Sequence, residues 1–180
     1  MNIVVFVGSL KKDSLTLRLA RAFERVKPAD MTFDIIRFDD FPFYNPDLEN
    51  DMPAVVADVK ARVKAADGII FVSPEYNRSI PAVLKNAIEW CTRPPRTNAF
   101  AGKPAMVAGA STGPLRTAPM QQHLKAVCLH LGMHVLPTPE IYIHAPAGLF
   151  AEDGEIGVDS TKEFLQMAME EFRTHVQRFS

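Results

Sequence analysis

GIIFVSPEYNRSIPAVLKNAIEW, residues 68–90, divides into an apolar run, a polar turn and a helical segment. Gly68-Ile69-Ile70-Phe71-Val72 is an unbroken apolar run of strand length. Its continuity predicts a strand buried on both faces, as in a parallel sheet. Ser73 to Ser79 is a polar turn. Pro81 then opens an amphipathic helix that runs to Trp90, a position where the missing N–H costs little. A buried strand, a polar loop and a helix form the unit of open α/β sheets, whose ligands bind beyond the strand ends.

The same alternation extends outward in both directions. Ile3-Val4-Val5-Phe6-Val7 predicts a first strand, and residues 14–26 a helix. Residues 33–38 predict a second strand; Asp34 and Arg37 make it alternate, which suits a sheet edge. Residues 53–66 read as a helix with Val55, Val56, Val59 and Val63 on its apolar face. Ala105-Met106-Val107-Ala108-Gly109 is a fourth strand, and residues 117–131 a helix that tolerates Pro119 only in its first turn. His134-Val135-Leu136 and Ile141-Tyr142-Ile143 make a split fifth strand, broken by Pro137 and Pro139. Residues 160–179 form a final helix, with Ser160 as N-cap and Glu163 completing a capping box. Five strand–helix units without a repeat predict an α/β fold, one domain over residues 1–180 with helices on both faces of a parallel sheet.

Composition narrows the function. Twenty basic against 21 acidic residues leave a formal net charge of −1, without a basic stripe. That excludes a nucleic-acid footprint and disfavours the strongly acidic surface of a partner-docking electron carrier. Met1 leads straight into a strand, and the longest apolar run falls far short of the ~20 residues of a membrane span. A cytoplasmic protein without a membrane segment is expected, with Cys91 and Cys128 as reduced, buried thiols.

Three turns carry the chemistry. In Gly8-Ser9-Leu10-Lys11-Lys12-Asp13-Ser14-Leu15-Thr16, Gly8 leaves the first strand sharply, and Ser9, Ser14 and Thr16 bring hydroxyls to a helix N-terminus. Lys11 and Lys12 add positive charge. Such a loop suits a phosphate; the alternative is an ordinary turn with Ser14 as a plain N-cap. Asp13-Ser14 stands where a Walker A loop needs Gly-Lys. Gly8 has no Gly two residues on, as a dinucleotide-binding turn requires. A phosphorylated receiver domain is excluded by Gly8-Ser9 and Ser73-Pro74, where it needs acidic residues.

Pro74-Glu75-Tyr76-Asn77 can border a planar heterocycle, with Tyr76 against the ring and Asn77 satisfying the turn. The alternative is a solvated surface turn. Glu75 has no second acid or base with which to act catalytically. Gly109-Ala110-Ser111-Thr112-Gly113-Pro114 leaves room for a ligand to approach the backbone; the alternative is a plain helix-entry loop. In a 2-1-3-4-5 sheet, strands one, three and four meet at the topological switch point, so the three turns describe one mononucleotide pocket. No Ser-His-Asp, Cys-His or metal-ligand spacing is present. His130 and His134 are four apart, but Gly132 intervenes and no third ligand is evident. Two long loops, residues 39–52 and 93–103, are expected to belong to the site or to a partner surface; the alternative is that they are solvated spacers. Phe41 to Tyr44 and Trp90 are expected to form an exposed apolar patch at a subunit contact.

These motifs together resemble the NADPH-dependent FMN reductase family, which includes bacterial chromate and quinone reductases and azoreductase-like enzymes. GSLKKDSLTLRLA resembles its phosphate loop, FPFYNPDLE its loop after strand two, PEYNRSIPAVLKNAIEW its most specific signature, and FAGKPAMVAGASTG its fourth strand and turn. The resemblance spans nearly the whole chain. It implies a flavodoxin-like three-layer sandwich and non-covalent FMN. Ser9, Lys11, Ser14, Thr16 and Leu17 would surround the phosphate. Pro74, Glu75, Tyr76 and Asn77 would edge the isoalloxazine, with Ser111 and Gly113 nearby. Lys11 replaces the usual Arg, keeping charge but losing the bidentate fork; Thr16 replaces the usual Asn. Leu115-Arg116 stands where the family often has more glycine.

The implied activity is an NAD(P)H oxidoreductase. Hydride would pass to flavin N5 and then, in ping-pong order, to a small acceptor such as a quinone, flavin, azo compound or chromate. No catalytic side chain is required. Arg78, Arg116 and Lys11 are the candidates for attracting NADPH phosphates. The rival readings are a flavodoxin-type electron carrier without its own NAD(P)H turnover and a fold relative that has lost its flavin. The resemblance also implies a homodimer, or dimers paired into a homotetramer.

Overall fold

Alternate residues of each central strand enter two different cores, so the sheet must be covered on both faces. A computed structural model describes residues 1–179. Strands β1 (Asn2–Val7), β2 (Thr32–Ile36), β3 (Gly68–Val72) and β4 (Pro104–Ser111) alternate with helices α1 (Leu15–Val26), α2 (Ala54–Ala65), α3 (Ala82–Thr92) and α4 (Ala118–His130). Two short strands, β5 (His134–Val135) and β6 (Ile141–His144), precede α5 (Asp159–Arg178). Ile3, Val5, Val7, Ile70 and Val72 pack under α1 and α5, alongside Phe23 and Phe172. Val4, Phe6, Ile69 and Phe71 pack under α2, α3 and α4. This is the expected three-layer α/β sandwich.

All strand pairs are parallel, in the order β2-β1-β3-β4-β5, with β6 also on β4. The split fifth strand therefore occupies one lane as two pieces. β5 pairs with Pro104 and Ala105, and β6 with Ala108 to Ser111. Pro137 and Pro139 lie between them and cannot donate to a ladder. β2 is at the edge, as its alternation predicts, and its Asp34 forms a two-toothed ion pair with Arg62 of α2. Among the described residues no helix is long and apolar enough to cross a membrane.

Three expectations need correction. Helix α5 begins at Asp159, with Val158 at its N-cap and no side-chain cap, so the Ser160–Glu163 box does not form. A preceding hairpin delivers the chain to that point: Phe150 bridges Ile156, and Gly157 N–H donates to Leu149 O at 2.9 Å. Trp90 is fully buried rather than surface-exposed. Its Nε1 donates to Pro42 O at 2.9 Å and its ring lies edge-on to Tyr44, so it anchors the 39–52 loop from beneath. Phe43, 81% exposed, is the aromatic that projects from that loop. Finally, residues 93–103 connect α3 to β4 and so lie at the end of the sheet away from the strand exits. Lys60 holds them there, donating to Arg93 O and to Thr97 Oγ1.

Cys91 and Cys128 are free and buried. Burial pushes both thiols up to about 12, so the reactive thiolate is scarce at neutral pH. A thiol-specific disulfide reagent at pH 8 is expected to modify neither cysteine in the native protein and both in denaturant. Gly154 has φ +86°, and a Cβ there would meet the Arg21 carbonyl carbon at 2.5 Å, whereas Gly132, at φ +74°, faces open space. Urea unfolding is expected to show Gly132→Ala costing about 1 kcal/mol and Gly154→Ala at least about 2 kcal/mol more. Equal costs would show that the contact with α1 is slack.

Candidate active site at the strand exits

Parallel register places three turns on one edge. Val7 pairs with Val72, and Val72 with Ala108. The turns that follow β1, β3 and β4 therefore start about 5 Å apart. They are also bonded to one another: Gly8 N–H donates to Val72 O at 2.9 Å, and Ser73 N–H to Ala108 O at 3.0 Å. A Cβ at Gly109 would stand 2.8 Å from Ser73 O, so only glycine lets these two exits close up.

At the β1 exit, Ser14 is the N-cap of α1. Its Oγ accepts from Leu17 N–H and from the Thr16 hydroxyl, both at 3.1 Å. The capping role considered for Ser14 is thus filled, and it takes up the Leu17 amide; the Leu17 side chain belongs to the core. Ser9 is buried and its Oγ accepts from Lys11 N–H at 3.3 Å. Lys11 is exposed. The amides of Lys12, Asp13, Leu15 and Thr16 have no partner among the described residues. Unpaired amides at a helix start, beside a lysine, are the donor set an anion requires. The acidic Asp13 is neutralised within the loop. Arg18 donates to it from Nε at 2.7 Å and Nη2 at 2.6 Å, and holds its carboxyl below the usual range. The third arm of Arg18 reaches Phe150 O at 2.9 Å, tying the loop to the hairpin before α5.

At the β3 exit, Tyr76 and Ser79 exchange backbone bonds of 3.2 and 3.0 Å. Asn77 and Arg78 between them have φ of +49° and +66°, the signature of a type I′ turn. Asn favours that conformation; Arg does not. Tyr76 is left 53% exposed, with its ring available to a flat group. Glu75 points the other way. Its Oε2 accepts from Met120 N–H at 3.1 Å, satisfying an orphan amide of α4, and its Oε1 lies 3.4 Å from Arg78 Nη1. The carboxylate brackets the β3 turn to a helix N-terminus, where negative charge is favoured.

At the β4 exit, Ser111 Oγ accepts from Gly113 N–H at 3.0 Å. Arg116 and Thr117 both take positive φ before α4 starts. Thr117 is held by Gln121, a fully buried side chain that donates to Thr117 Oγ1 at 3.0 Å and to Ile141 O at 2.8 Å. Gln121 was not singled out from sequence; a lone amide on the apolar face of α4 was its only signal. A cavity of about 250 Å³ opens here, bordered by Lys11, Asp13, Leu15 and Arg18 on one side and by Thr112 and residues 145–148 on the other. Of the sequence-predicted site residues, Lys11 alone borders that cavity. The other wall comes from the β6 exit, which the three sequence turns do not include, although every exit of a parallel sheet opens on the same edge.

Comparison with known proteins bears on the family of the chain. Residues 1–147 match the family model described as NADPH-dependent FMN reductase. A 2-hydroxy-1,4-benzoquinone reductase from a Burkholderia species is 37% identical, over 98% of this chain and 97% of that protein. An NAD(P)H-dependent FMN reductase of Pseudomonas aeruginosa is 34% identical, over 95% and 92%. Among solved structures, FerB of Paracoccus denitrificans, a flavoenzyme NAD(P)H:(acceptor) oxidoreductase, superposes with a TM-score of 0.94 at 38% identity. It covers 99% of this chain and 98% of its own. With its sheet order, its three adjoining exits and these matches along its length, the chain belongs to the NADPH-dependent FMN reductase family, whose enzymes pair FMN with NAD(P)H.

Proposed function

We propose that this chain reduces quinones with NAD(P)H, using FMN seated across the exits of β1, β3 and β4. One observation carries the reading: a loop with unpartnered amides and Lys11 adjoins two turns that leave a tyrosine ring and small residues exposed. Ser9, Lys11, Ser14 and Thr16 form the phosphate side, where free amides and a lysine balance a dianion; Leu17, its amide taken by Ser14 Oγ and its side chain in the core, supports the loop from behind. Pro74, Glu75, Tyr76 and Asn77 form the ring side, with Ser111 and Gly113 at its border. When bound, FMN supplies hydride acceptance from NAD(P)H and hydride donation to a second substrate.

The protein's part is placement. Tyr76 offers an apolar face, Glu75 fixes the turn that carries it, and the Gly109 contact closes the floor. A quinone is the favoured acceptor because relatives at 33–37% identity bear that name. Free flavins, azo compounds and metal oxyanions such as chromate complete the acceptor range. We place the enzyme in the cytoplasm as a homodimer or homotetramer, with Phe43, on its anchored loop, at a subunit contact. An electron carrier is the weaker reading, since the net charge of −1 provides no acidic docking surface.

Two outcomes test this. With NAD(P)H and a benzoquinone both varied, double-reciprocal plots are expected to be parallel, because the substrates share one seat in turn. Intersecting lines would overturn the shared seat, and negligible turnover would favour the carrier. Glu75→Gln is expected to lower kcat by less than about tenfold, against the 10²–10⁴ of a lost general acid or base. Its thermal unfolding is expected to show a loss of about 0.3–1 kcal/mol, from the helix terminus it no longer balances.

A further inference from the structure

We propose that Arg37 is a positioning residue for the flavin phosphate: it grips the carbonyl side of the Leu10–Lys12 segment and so turns the loop's amides toward the anion. The proposal rests on the reading of residues 9–17 as the phosphate loop.

Arg37 follows edge strand β2, far in sequence from that loop. Every N–H of its guanidinium is engaged. Nε and Nη2 donate to the two carboxylate oxygens of Asp39, each at 2.9 Å. Nη2 also donates to Leu10 O at 2.9 Å, and Nη1 to Lys12 O at 3.2 Å and Lys11 O at 3.4 Å. Three consecutive carbonyls thus face one cation. In a trans peptide the C=O and the following N–H point in opposite directions. The amides of Lys11, Lys12 and Asp13 are therefore turned away from Arg37. The first goes to Ser9 Oγ; the other two have no partner among the described residues. Successive amides presented from one side of a turn make an anion-binding concavity.

Arg37 does not itself border the cavity at the strand exits. It lines a separate groove with Lys12, Leu17 and Asp39. Its action therefore runs through the loop backbone. Asp39 aligns the fork, and the pair is mutual: Arg37 holds the Asp39 carboxyl below its usual range. Only arginine fits this post. Lysine keeps the charge but has three donors and no planar fork, so it cannot hold a carboxylate and three carbonyls together.

The test is flavin affinity. Full-length protein, stripped of flavin, is titrated with FMN and with riboflavin, which lacks the phosphate, and flavin fluorescence is followed. Wild type is expected to bind FMN at least about a hundredfold tighter than riboflavin. Arg37→Lys is expected to lose about tenfold to a hundredfold in FMN affinity, the range for outer partners of a binding site, while its riboflavin affinity stays within about twofold. Asp39→Asn, which keeps the cation, is expected to shift FMN alone in the same direction by a smaller factor. An Arg37→Lys protein with wild-type FMN affinity would overturn the proposal, because charge alone would then suffice. Equal losses for FMN and riboflavin would overturn it too, in favour of a general structural role. If wild type does not distinguish the two flavins, the phosphate-loop reading itself fails and the proposal falls with it. A wild-type preference that Arg37→Lys leaves intact removes the proposal and spares the reading.

Discussion

Parallel pairing of β3 between β1 and β4 is the constraint on which the rest of the molecule depends. A strand buried on both faces must send its polar turn beyond the sheet, and parallel neighbours must send theirs to the same edge. The register Val7–Val72–Ala108 sets that edge to within one residue. Gly109 then allows the β4 turn to press against Ser73 O. The candidate site is thus a consequence of sheet topology, and its loops need only chemistry suited to the proposed ligand.

The charged residues around the edge act mainly through geometry. Exposed ion pairs add little stability, about 0–1 kcal/mol each. Yet Arg18 with Asp13, Arg37 with Asp39 and Glu75 with the α4 amide each bind backbone as well as their own partner. Each links a turn to a second element: Arg18 to the hairpin before α5, Arg37 to β2, Glu75 to α4. They leave little freedom to loops that must present donors in fixed directions. Arg18, Arg21 and Arg25, on one face of α1, also bond Phe150, Glu152 and Asp153 in the hairpin, which stiffens the helix behind the β1 loop.

The sheet was legible in sequence because its central strands are apolar at every position, and β2 because Asp34 and Arg37 break that pattern. Local signals were weaker wherever a distant contact decides. Ser160 and Glu163 have the spacing of a capping box, but the Phe150–Ile156 bridge starts the helix earlier. Trp90 reads as a helix-end aromatic, and only the return of Pro42 over it shows that it is buried. The three turns of the candidate site stand out in sequence because their residue types are unusual. Their supports could not. Arg37 lies 25 residues from Lys12 and Gln121 lies 20 from Ile141, and nothing in the intervening sequence announces either bond.

In the proposed arrangement one ligand spans all three exits. Amide chemical shifts of the ¹⁵N-labelled, flavin-free protein, recorded as FMN is added, test it most directly. Amides of residues 9–16, 75–77 and 111–113 are expected to shift together with one binding curve, and inorganic phosphate to move the first group alone. Shifts confined to one turn, or centred on the groove that Lys85, Glu89, Ala126 and His130 line between α3 and α4, would contradict it.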